Sequence, residues 1–453
     1  MKRNIFKQVR MNKLLFILLL LLALLLLSSC GFSSVGTIPS GTPDRGNGTP
    51  AVVPTAKLSP QPVLTAPPTA TGAFYAFVRK NQLWVAVNGA KPEQVTHFDY
   101  TNLPDVFWHQ PAWSSDHRSL AFIMTARPVG QGGGGCPAPD YGANGALYVL
   151  NTVTQQLTAI TVSSQAGSNA GGSPRNDYWQ YVFWEDATHL LAWYNGPTGK
   201  TSNLAGLYRY DMMAGTLAQV IPLSELGVAT LFNAQPGLPL LLSMRYSSEQ
   251  LFYQVTVHPF EQQSQLSIYR HSVAHPEIPG SKVLDTGAMP WCVGSRQSAP
   301  FVRPGWDISP DGEQLAAQMV TANAPAQGSG TITVYNMKDG VSTALFAQAP
   351  SQLFVHDLTL TWGPDNRTVV TMMPTNAPDA QGLYSATLAN PAATQQYSPA
   401  LPGQIAWRSD SSAFALESVL MEDAASVPAV YVFVPGQEQG RLLLNDAQIF
   451  EWG

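Results

Sequence analysis

The chain has 453 residues, of which 45% are hydrophobic and only 12% are charged, and it contains 37 glycines and 36 prolines. This composition is typical of many short strands joined by turns, and no sustained amphipathic helical pattern follows residue 30. The formal net charge is −5, and the first 29 residues hold five basic and no acidic side chains, so the rest of the chain is more acidic still. This acidity argues against nucleic-acid binding and against docking on anionic lipid.

The N-terminus has the pattern of an export signal. Basic residues precede an uncharged apolar run from Leu14 to Leu27, which is too short for a typical membrane-spanning helix and is typical of a secretory signal peptide. The ending Leu27-Ser28-Ser29-Cys30 resembles the bacterial lipobox. That resemblance implies that residues 1–29 are removed and that Cys30 is lipidated. An ordinary cleaved signal or an uncleaved anchor are the alternatives.

Residues 30–72 differ from the rest of the chain in composition. After Cys30 they are dense in proline, threonine, serine and glycine and carry almost no charge. Such a segment cannot bury enough apolar surface to offset the entropy lost on ordering. We therefore predict a disordered tether that holds the folded part, residues 73–453, away from the extracytoplasmic side of a bacterial cell membrane.

A repeated pattern then occupies the chain. Each unit has an apolar strand ending near a tryptophan, a tight polar turn centred on an aspartate, and a second apolar strand, and third and fourth strands usually follow. The side chain of Asp accepts hydrogen bonds from the following backbone in such turns. The units lie at 110–124, 181–194, 304–320, 358–373 and 403–418, with turn residues Asp116, Asp186, Asp311, Asp365 and Asp410. The stretch 228–285 repeats the plan without the Trp or the Asp.

Four-stranded units at this spacing indicate a β-propeller. The best repeat, Trp113-Ser114-Ser115-Asp116 followed by Leu120-Ala121-Phe122, resembles the TolB-type, WD-like propeller repeat, and 306–316 and 362–370 match it partially. The resemblance covers roughly residues 73–453. It implies an architecture and leaves the function open, because propellers host unrelated activities.

The two ends of the repeat region complement each other. Residues 74–98 supply a second, third and fourth strand without a first, whereas 447–452 form a first strand with nothing after it. Their pairing would close the ring and remove exposed sheet edges. The sequence thus predicts an all-β fold, a single propeller of seven four-stranded blades, with six or eight blades as alternatives. The repeat tryptophans Trp113, Trp184, Trp306, Trp362, Trp407 and Trp452 are predicted to be core residues.

The predicted connections are unequal. Long ones follow the second strands or the fourth strands, and these two classes emerge on the same face of a propeller. They lie at 127–145, 194–206, 245–264, 321–330 and 417–429, and at 162–179 and 286–303. Long connections without structure of their own are often functional, so this face is predicted to bind a ligand. Tolerated drift of surface loops is the alternative.

Two of these connections hold the remaining cysteines, Cys136 and Cys292. An exported protein lies in an oxidising compartment, so we predict a disulfide between them, with two unpaired thiols as the alternative. The predicted ligand-binding residues are the aromatic and polar side chains of the same face, and for each one alone ordinary loop packing is the alternative that its residue type favours. They are Trp108, Asp140, Tyr141, Arg175, Tyr178, Trp179, Trp291 and Arg296.

The sequence contains no catalytic or metal-binding motif, and we predict neither a cofactor nor a metal. The first hypothesis is a monomeric, non-catalytic binding or assembly module for an envelope protein, a peptide or a glycan, attached to the membrane through its lipid only. The alternative is an extracytoplasmic hydrolase or lyase whose residues gather from several blades at the mouth of the channel, since such sites leave no linear motif.

Overall fold

A computed structural model gives the fold. It describes residues 74–87, 90–98, 105–108, 111–127, 145–162, 179–196, 204–229, 238–257, 264–289, 305–320, 330–346, 360–374, 381–392, 394–397, 404–422, 425–437 and 440–453. The predicted signal peptide and the predicted tether with Cys30 lie outside these residues.

The described elements are almost entirely strands. In chain order they are β1 (Tyr75–Arg79), β2 (Gln82–Ala86), β3 (Glu93–Gln94), β4 (Asp105–Trp108), β5 (Ala112–Trp113), β6 (Ser119–Arg127), β7 (Ala146–Asn151), β8 (Leu157–Ile160), β9 (Trp179–Trp184), β10 (His189–Tyr194), β11 (Gly206–Asp211), β12 (Thr216–Pro222), α1 (Leu223–Leu226), β13 (Leu240–Ser247), β14 (Gln250–Val257), β15 (Ser264–Ser272), β16 (Ser281–Met289), β17 (Trp306–Ile308), β18 (Gln314–Val320), β19 (Gly330–Asn336), β20 (Ser342–Leu345), β21 (Leu360–Trp362), β22 (Thr368–Pro374), β23 (Gln381–Thr387), β24 (Thr394–Tyr397), β25 (Ile405–Trp407), β26 (Phe414–Glu422), β27 (Ala425–Phe433), β28 (Arg441–Asn445) and β29 (Gln448–Trp452).

These strands form seven antiparallel four-stranded blades in a ring, as predicted. Blade 1 contains β29, β1, β2 and β3; blade 2 contains β4 with β5 as a divided first strand, then β6 to β8. Blades 3 to 7 follow as β9–β12, β13–β16, β17–β20, β21–β24 and β25–β28. A single parallel bridge between Gly287 and Val320 links the sheets of blades 4 and 5.

The closure of blade 1 is confirmed. β29 pairs with β1, with Tyr75 opposite Trp452. The Gly453 amide donates to the Phe74 carbonyl at 2.9 Å. The Arg79 guanidinium donates to the carbonyls of Asn445 and Asp446, at 2.9 and 3.1 Å. Strands from distant parts of the sequence therefore share one sheet.

Apolar side chains on both faces of each sheet fill the space between neighbouring blades. Among the repeat tryptophans, Trp306, Trp362 and Trp452 are buried as predicted, whereas Trp113, Trp184 and Trp407 are only partly buried. The partly buried rings also connect blades, because the Trp184 Nε1 donates to the Ala112 carbonyl at 2.7 Å. The core is therefore distributed around the ring.

The predicted aspartate turns are confirmed. In each of the five, one carboxylate oxygen accepts a hydrogen bond from the amide two residues later, as at Asp365, which accepts from Arg367 at 2.9 Å. In four of them the residue after the aspartate has a left-handed φ: His117, Gly312, Asn366 and Ser411. Gly312 takes this conformation without the steric cost of a β-carbon.

Replacing Asp365 with alanine is expected to destabilise the protein by about 1–2 kcal/mol, because a part-buried acceptor is lost. Its Oδ1 accepts from the amides of Arg367 and Thr368, and its Oδ2 accepts from the Thr368 hydroxyl at 2.7 Å. Urea unfolding measures the loss. Asp365→Asn, which keeps an amide oxygen at Oδ1, serves as the control. It should lose less than half of the unfolding free energy that Asp365→Ala loses. Equal losses in the two variants would contradict the role of the turn.

Two predicted loops were wrong. β14 lies inside the predicted connection 245–264, and the first strand of blade 4 is β13, not a strand near residue 232. The β13–β14 turn has only Ser248 and Glu249, both with positive φ. Neither is a glycine or an asparagine, so the usual signal of a two-residue turn is missing here. Likewise β26 and β27 extend through most of 417–429 and leave only 423–424 between them.

Candidate functional site

The connections between strands differ on the two faces of the ring. Segments from second to third strands and from fourth strands to the next blade emerge on one face, here called the long-loop face. It carries the long connections 128–145, 161–178 and 290–305, whereas the longest connection on the opposite, short-turn face is 273–280. The predicted sorting therefore holds apart from the two corrected loops.

The longest connections lie in one sector of their face. By the strand bounds, 423–424 in blade 7, 80–81 in blade 1 and the link 446–447 between these blades have two residues each, and 95–104, from blade 1 to blade 2, has ten. A ligand that contacts long connections on this face therefore meets blades 2 to 6.

Most predicted ligand-binding residues lie outside the described residues. This group contains Asp140, Tyr141, Arg175, Tyr178, Trp291 and Arg296, together with both cysteines of the predicted disulfide, Cys136 and Cys292.

The other two predicted residues belong to the core, and we no longer include them in the ligand surface. Trp108 is 7% exposed, and its ring lies 5.4 Å from that of Phe122. Trp179 is fully buried, its Nε1 donates to the Ile160 carbonyl at 3.0 Å, and its ring contacts Tyr194 edge to face. Trp179 begins the inner strand β9, and Trp108 ends β4 at the break between β4 and β5. Both residues had been predicted to lie in loops.

The short-turn face carries a pocket of about 490 Å³ between blades 3 and 4. Blade 3 supplies His189, Arg209 and Asp211 from β10 and β11 and several residues of β12, and blade 4 supplies residues of 273–280. β10 begins and β11 ends at short turns, and their register places His189 opposite Asp211. The hairpin thus brings three charged side chains to one end of the blade.

His189 lies between two carboxylates. Its Nδ1 lies 2.8 Å from the Asp186 Oδ2, and its Nε2 lies 4.0 Å from the Asp211 Oδ2. The hydrogen bond to Asp186 and the charges of Asp186 and Asp211 raise the pKa of His189. Partial desolvation raises the pKa of Asp186, but the hydrogen bonds from Thr188 and His189 outweigh it and hold this pKa well below its usual range. The imidazole is therefore held in place and favoured in its protonated form.

Arg209, the neighbouring cation, is paired within the protein. Its Nε and Nη2 both donate at 2.6 Å to the carboxylate of Glu185, which raises the pKa of Arg209. This two-bond geometry is the strong form of a charge-assisted hydrogen bond. The pair contributes little net charge to the pocket, and the carboxylates of Asp186 and Asp211 therefore leave it acidic.

A second polar group lies on the inner strands of blades 4 and 5. The Arg245 Nε is 3.3 Å from the Asp307 Oδ1, and the two side chains are only 19% and 17% exposed. The Asp307 Oδ2 accepts from the Trp362 amide of blade 6 at 2.9 Å, and the Arg245 guanidinium lies 5.3 Å from the centre of the Trp306 ring. Burial raises the pKa of Asp307, and Arg245 opposes that effect. These contacts connect three blades, which points to a structural role.

The described residues hold no group of three or more His, Cys, Asp or Glu side chains placed to share a metal ion. None of the helices in the described part of the chain has the length and apolar character needed to cross a membrane.

The sequence reasoning missed the pocket. The repeat pattern marks Asp186 as a turn residue, and no motif singles out His189. The available signal was the spacing Asp186-x-x-His189 at the start of a hairpin, which allows the carboxylate to reach the ring of His189.

The chain was compared with known proteins. No family model matches it, and no curated protein matches its sequence. Among solved structures, the chain is similar to TolB from Acinetobacter baumannii, with 11% sequence identity and a TM-score of 0.41. The match covers 84% of this chain and 66% of TolB, so the chain spans a little under two thirds of TolB's length.

The chain is also similar to oligogalacturonate lyase from Vibrio parahaemolyticus, with 11% identity and a TM-score of 0.49 over 83% of this chain and 85% of the lyase. An oligogalacturonate lyase in complex with manganese gives 13% identity and a TM-score of 0.51 over the same shares. At such low identities the likeness concerns the fold alone. Together with the ring of blades described above, the likeness at a TM-score of 0.51 shows that the chain has the fold of a seven-bladed β-propeller.

Proposed function

We propose that this protein is a non-catalytic binding or assembly module on the extracytoplasmic side of a bacterial cell membrane. In this proposal Cys30 carries the lipid anchor, residues 31–72 form the tether, and the propeller binds an envelope protein, a peptide or a glycan through the long-loop face. The protein acts as a monomer and needs no cofactor.

One observation carries the proposal: the long connections gather on a single sector of a single face. The strand bounds give blades 2 to 6 the longest connections of that face, whereas 423–424, 446–447 and 80–81 in blades 7 and 1 have two residues each and 95–104, which leads from blade 1 into blade 2, has ten. Drift without a function would lengthen connections on both faces and in all blades alike. A rigid scaffold with long loops on one side is a common arrangement for recognition surfaces.

The composition of these connections fits the same role. Asp140, Tyr141, Arg175, Tyr178, Trp291 and Arg296 lie in 128–145, 161–178 and 290–305. Tyrosine, tryptophan and arginine are enriched in the parts of interfaces that contribute most binding energy. A stable interface with a protein needs roughly 800 Å² on each side, which several long connections together can supply.

Shortening the connections 128–145 and 290–305 is expected to abolish capture of the partner. The full-length protein with an affinity tag would be crosslinked in intact cells, recovered from detergent extracts and compared by quantitative mass spectrometry. The matched control shortens 434–440, a seven-residue connection of the opposite face in blade 7, and should recover the same partner as the wild type.

The measurement separates the two faces. Loss of the partner in the long-loop variants alone, with unchanged urea unfolding, supports the proposal. Equal recovery of the same proteins by all variants, or specific loss in the 434–440 variant, would refute recognition through the long-loop face.

A further inference from the structure

The pocket between blades 3 and 4 has two unlike walls. One is apolar and contains Val220, Val273, Ala274 and Pro276, and the other carries His189 and Asp211. A volume of about 490 Å³ accommodates one long side chain with part of its backbone. A ligand side chain that fits this pocket therefore has an apolar stem and a polar group at its end.

The polar end is acidic. The Asp211 Oδ1 accepts from the amides of Met213 and Ala214 at 2.7 and 2.9 Å, which fixes the carboxylate in the turn. Its Oδ2 lies 4.0 Å from the His189 Nε2, longer than a hydrogen bond. The side chain of Asp211 is 35% exposed and lines the pocket, so Oδ2 is open to a donor from outside.

The neighbouring charges do not neutralise this carboxylate. Glu185 binds both donor nitrogens of Arg209 that face it, and Asp186 binds His189. Even with His189 protonated, Asp186, Asp211 and His189 together carry one net negative charge. On the side of blade 4, His275 and Glu277 are exposed and lie 3.5 Å apart, and neither is among the residues that line the pocket. The pocket favours a cation.

The edge of blade 3 supplies a place for a backbone. β12 is the outermost strand of its blade, and among the described strands it pairs with β11 only. Thr216, Ala218, Gln219 and Val220 of this strand line the pocket, and its pairing with β11 shifts register between Gln219 and Ile221. The edge of the strand therefore runs beside the cavity. An extended segment that added to this edge would direct alternate side chains towards the pocket.

We propose that this pocket binds the side chain of a lysine or arginine carried by an extended peptide segment. The aliphatic stem packs on Val220, Val273 and Pro276, and the cationic group donates to the Asp211 Oδ2. Long basic side chains combine these two parts, and a charge-assisted hydrogen bond at a partly desolvated carboxylate gives selectivity for the cation. The site lies on the short-turn face and does not depend on the long-loop face proposed above.

Fluorescence anisotropy with the full-length protein in detergent tests this site. The probe is a fluorescein-labelled seven-residue peptide with valines and threonines around a central arginine. Its matched control carries citrulline, which has the same shape without the charge. We expect the arginine peptide to bind the wild type about tenfold more tightly than the citrulline peptide.

Asp211→Asn keeps the Oδ1 acceptor of the turn and removes the charge, so it should reduce the preference for arginine to less than about twofold. Asp285→Asn, at an exposed aspartate that pairs with Lys282 on β16, is the control and should leave the preference unchanged. Circular dichroism and the urea midpoint confirm that each variant is folded.

Three results would overturn the proposal. They are equal binding of the arginine and citrulline peptides, no binding of either, and an unchanged preference in Asp211→Asn. Competition by free arginine methyl ester tests the contribution of the backbone: the peptide should compete at least tenfold better, and equal competition would overturn the role of β12. Because the partner of the long-loop face is absent from this assay, failure here leaves the proposed function standing.

Discussion

Replacing Arg245 with methionine is expected to destabilise the propeller by roughly 3–5 kcal/mol, because it leaves the carboxylate of Asp307 buried without its cation. Methionine fills a similar volume and keeps contact with the Trp306 ring, so the loss reports the missing charge more than a cavity. Urea unfolding at neutral pH, followed by tryptophan fluorescence, measures it.

The pH dependence of this variant has a definite sign. Burial already raises the pKa of Asp307, and Arg245 is the group that opposes the rise. Without Arg245 the folded protein binds a proton at Asp307 up to a higher pH, whereas the unfolded chain releases it at the ordinary value. Stability therefore falls as the pH rises through that window. The destabilisation should be larger at pH 8 than at pH 5.

The double variant Arg245→Met/Asp307→Asn provides the control. An asparagine oxygen still accepts from the Trp362 amide, which now bonds Asp307 at 2.9 Å, and no charge remains to be buried. The double variant should be more stable than Arg245→Met alone at pH 8. If the single variant lost less than about 1 kcal/mol and showed no pH dependence, the pair would behave as an exposed ion pair and our reading of it would be wrong.

The stability of the wild type is expected to fall as the pH rises from about 4.5 to about 7, because of Glu417 on β26. Its Oε1 accepts from the Phe450 amide at 2.7 Å, and burial raises the pKa of Glu417 from 4.5 to about 7 despite the hydrogen bonds from Phe450 and Ile449. Between these values the folded protein holds a proton that the unfolded chain has lost. The total effect is about 3 kcal/mol at most.

Glu417→Gln isolates this contribution. The amide oxygen still accepts from the Phe450 amide, but the side chain no longer ionises, so the difference in unfolding free energy between variant and wild type should grow in favour of the variant from pH 5 to pH 8. Urea midpoints at four pH values across this range give the difference. A constant difference would show that Glu417 titrates in the folded protein as it does in the unfolded chain.

The local backbone explains why a carboxylate occupies this position. The β1–β29 pairing shifts register between Ala76 and Val78, and on the opposite strand Ile449 has a φ of 54°. A left-handed conformation is unusual for a β-branched residue. The amides of Ile449 and Phe450 both donate to Glu417, which compensates this irregular backbone where β29 closes the ring.

The fold could be predicted from the sequence because its determinants are local and repeated. Asp365 and the equivalent aspartates of the other repeats mark the tight turns in the sequence. The unpaired first strand at the C-terminal end predicted the β1–β29 pairing. Blade 4 was misread where the local signals are absent, since Ser248 and Glu249 form a tight turn without glycine or asparagine.

The sites were much harder to predict, because they depend on contacts between blades. Arg245 and Asp307 belong to different blades, and nothing in either segment shows that they meet. His189 and Asp211 become neighbours only through the register of β10 and β11. Trp179 was placed on the ligand surface because a strand start resembles a loop in sequence, whereas its hydrogen bond to Ile160 fixes it inside.

Blade 1 takes its inner strand from residues 448–452 and its other strands from residues 75–94. During synthesis the ribosome must therefore deliver nearly the whole repeat region before this sheet can assemble. Until then the edge of β1 stays open, and the entropy of closing so long a loop has not yet been offset by contacts. If the chain is exported as proposed above, this delay keeps blade 1 incomplete during synthesis, and a chain without its closing sheet passes more easily through a translocation channel.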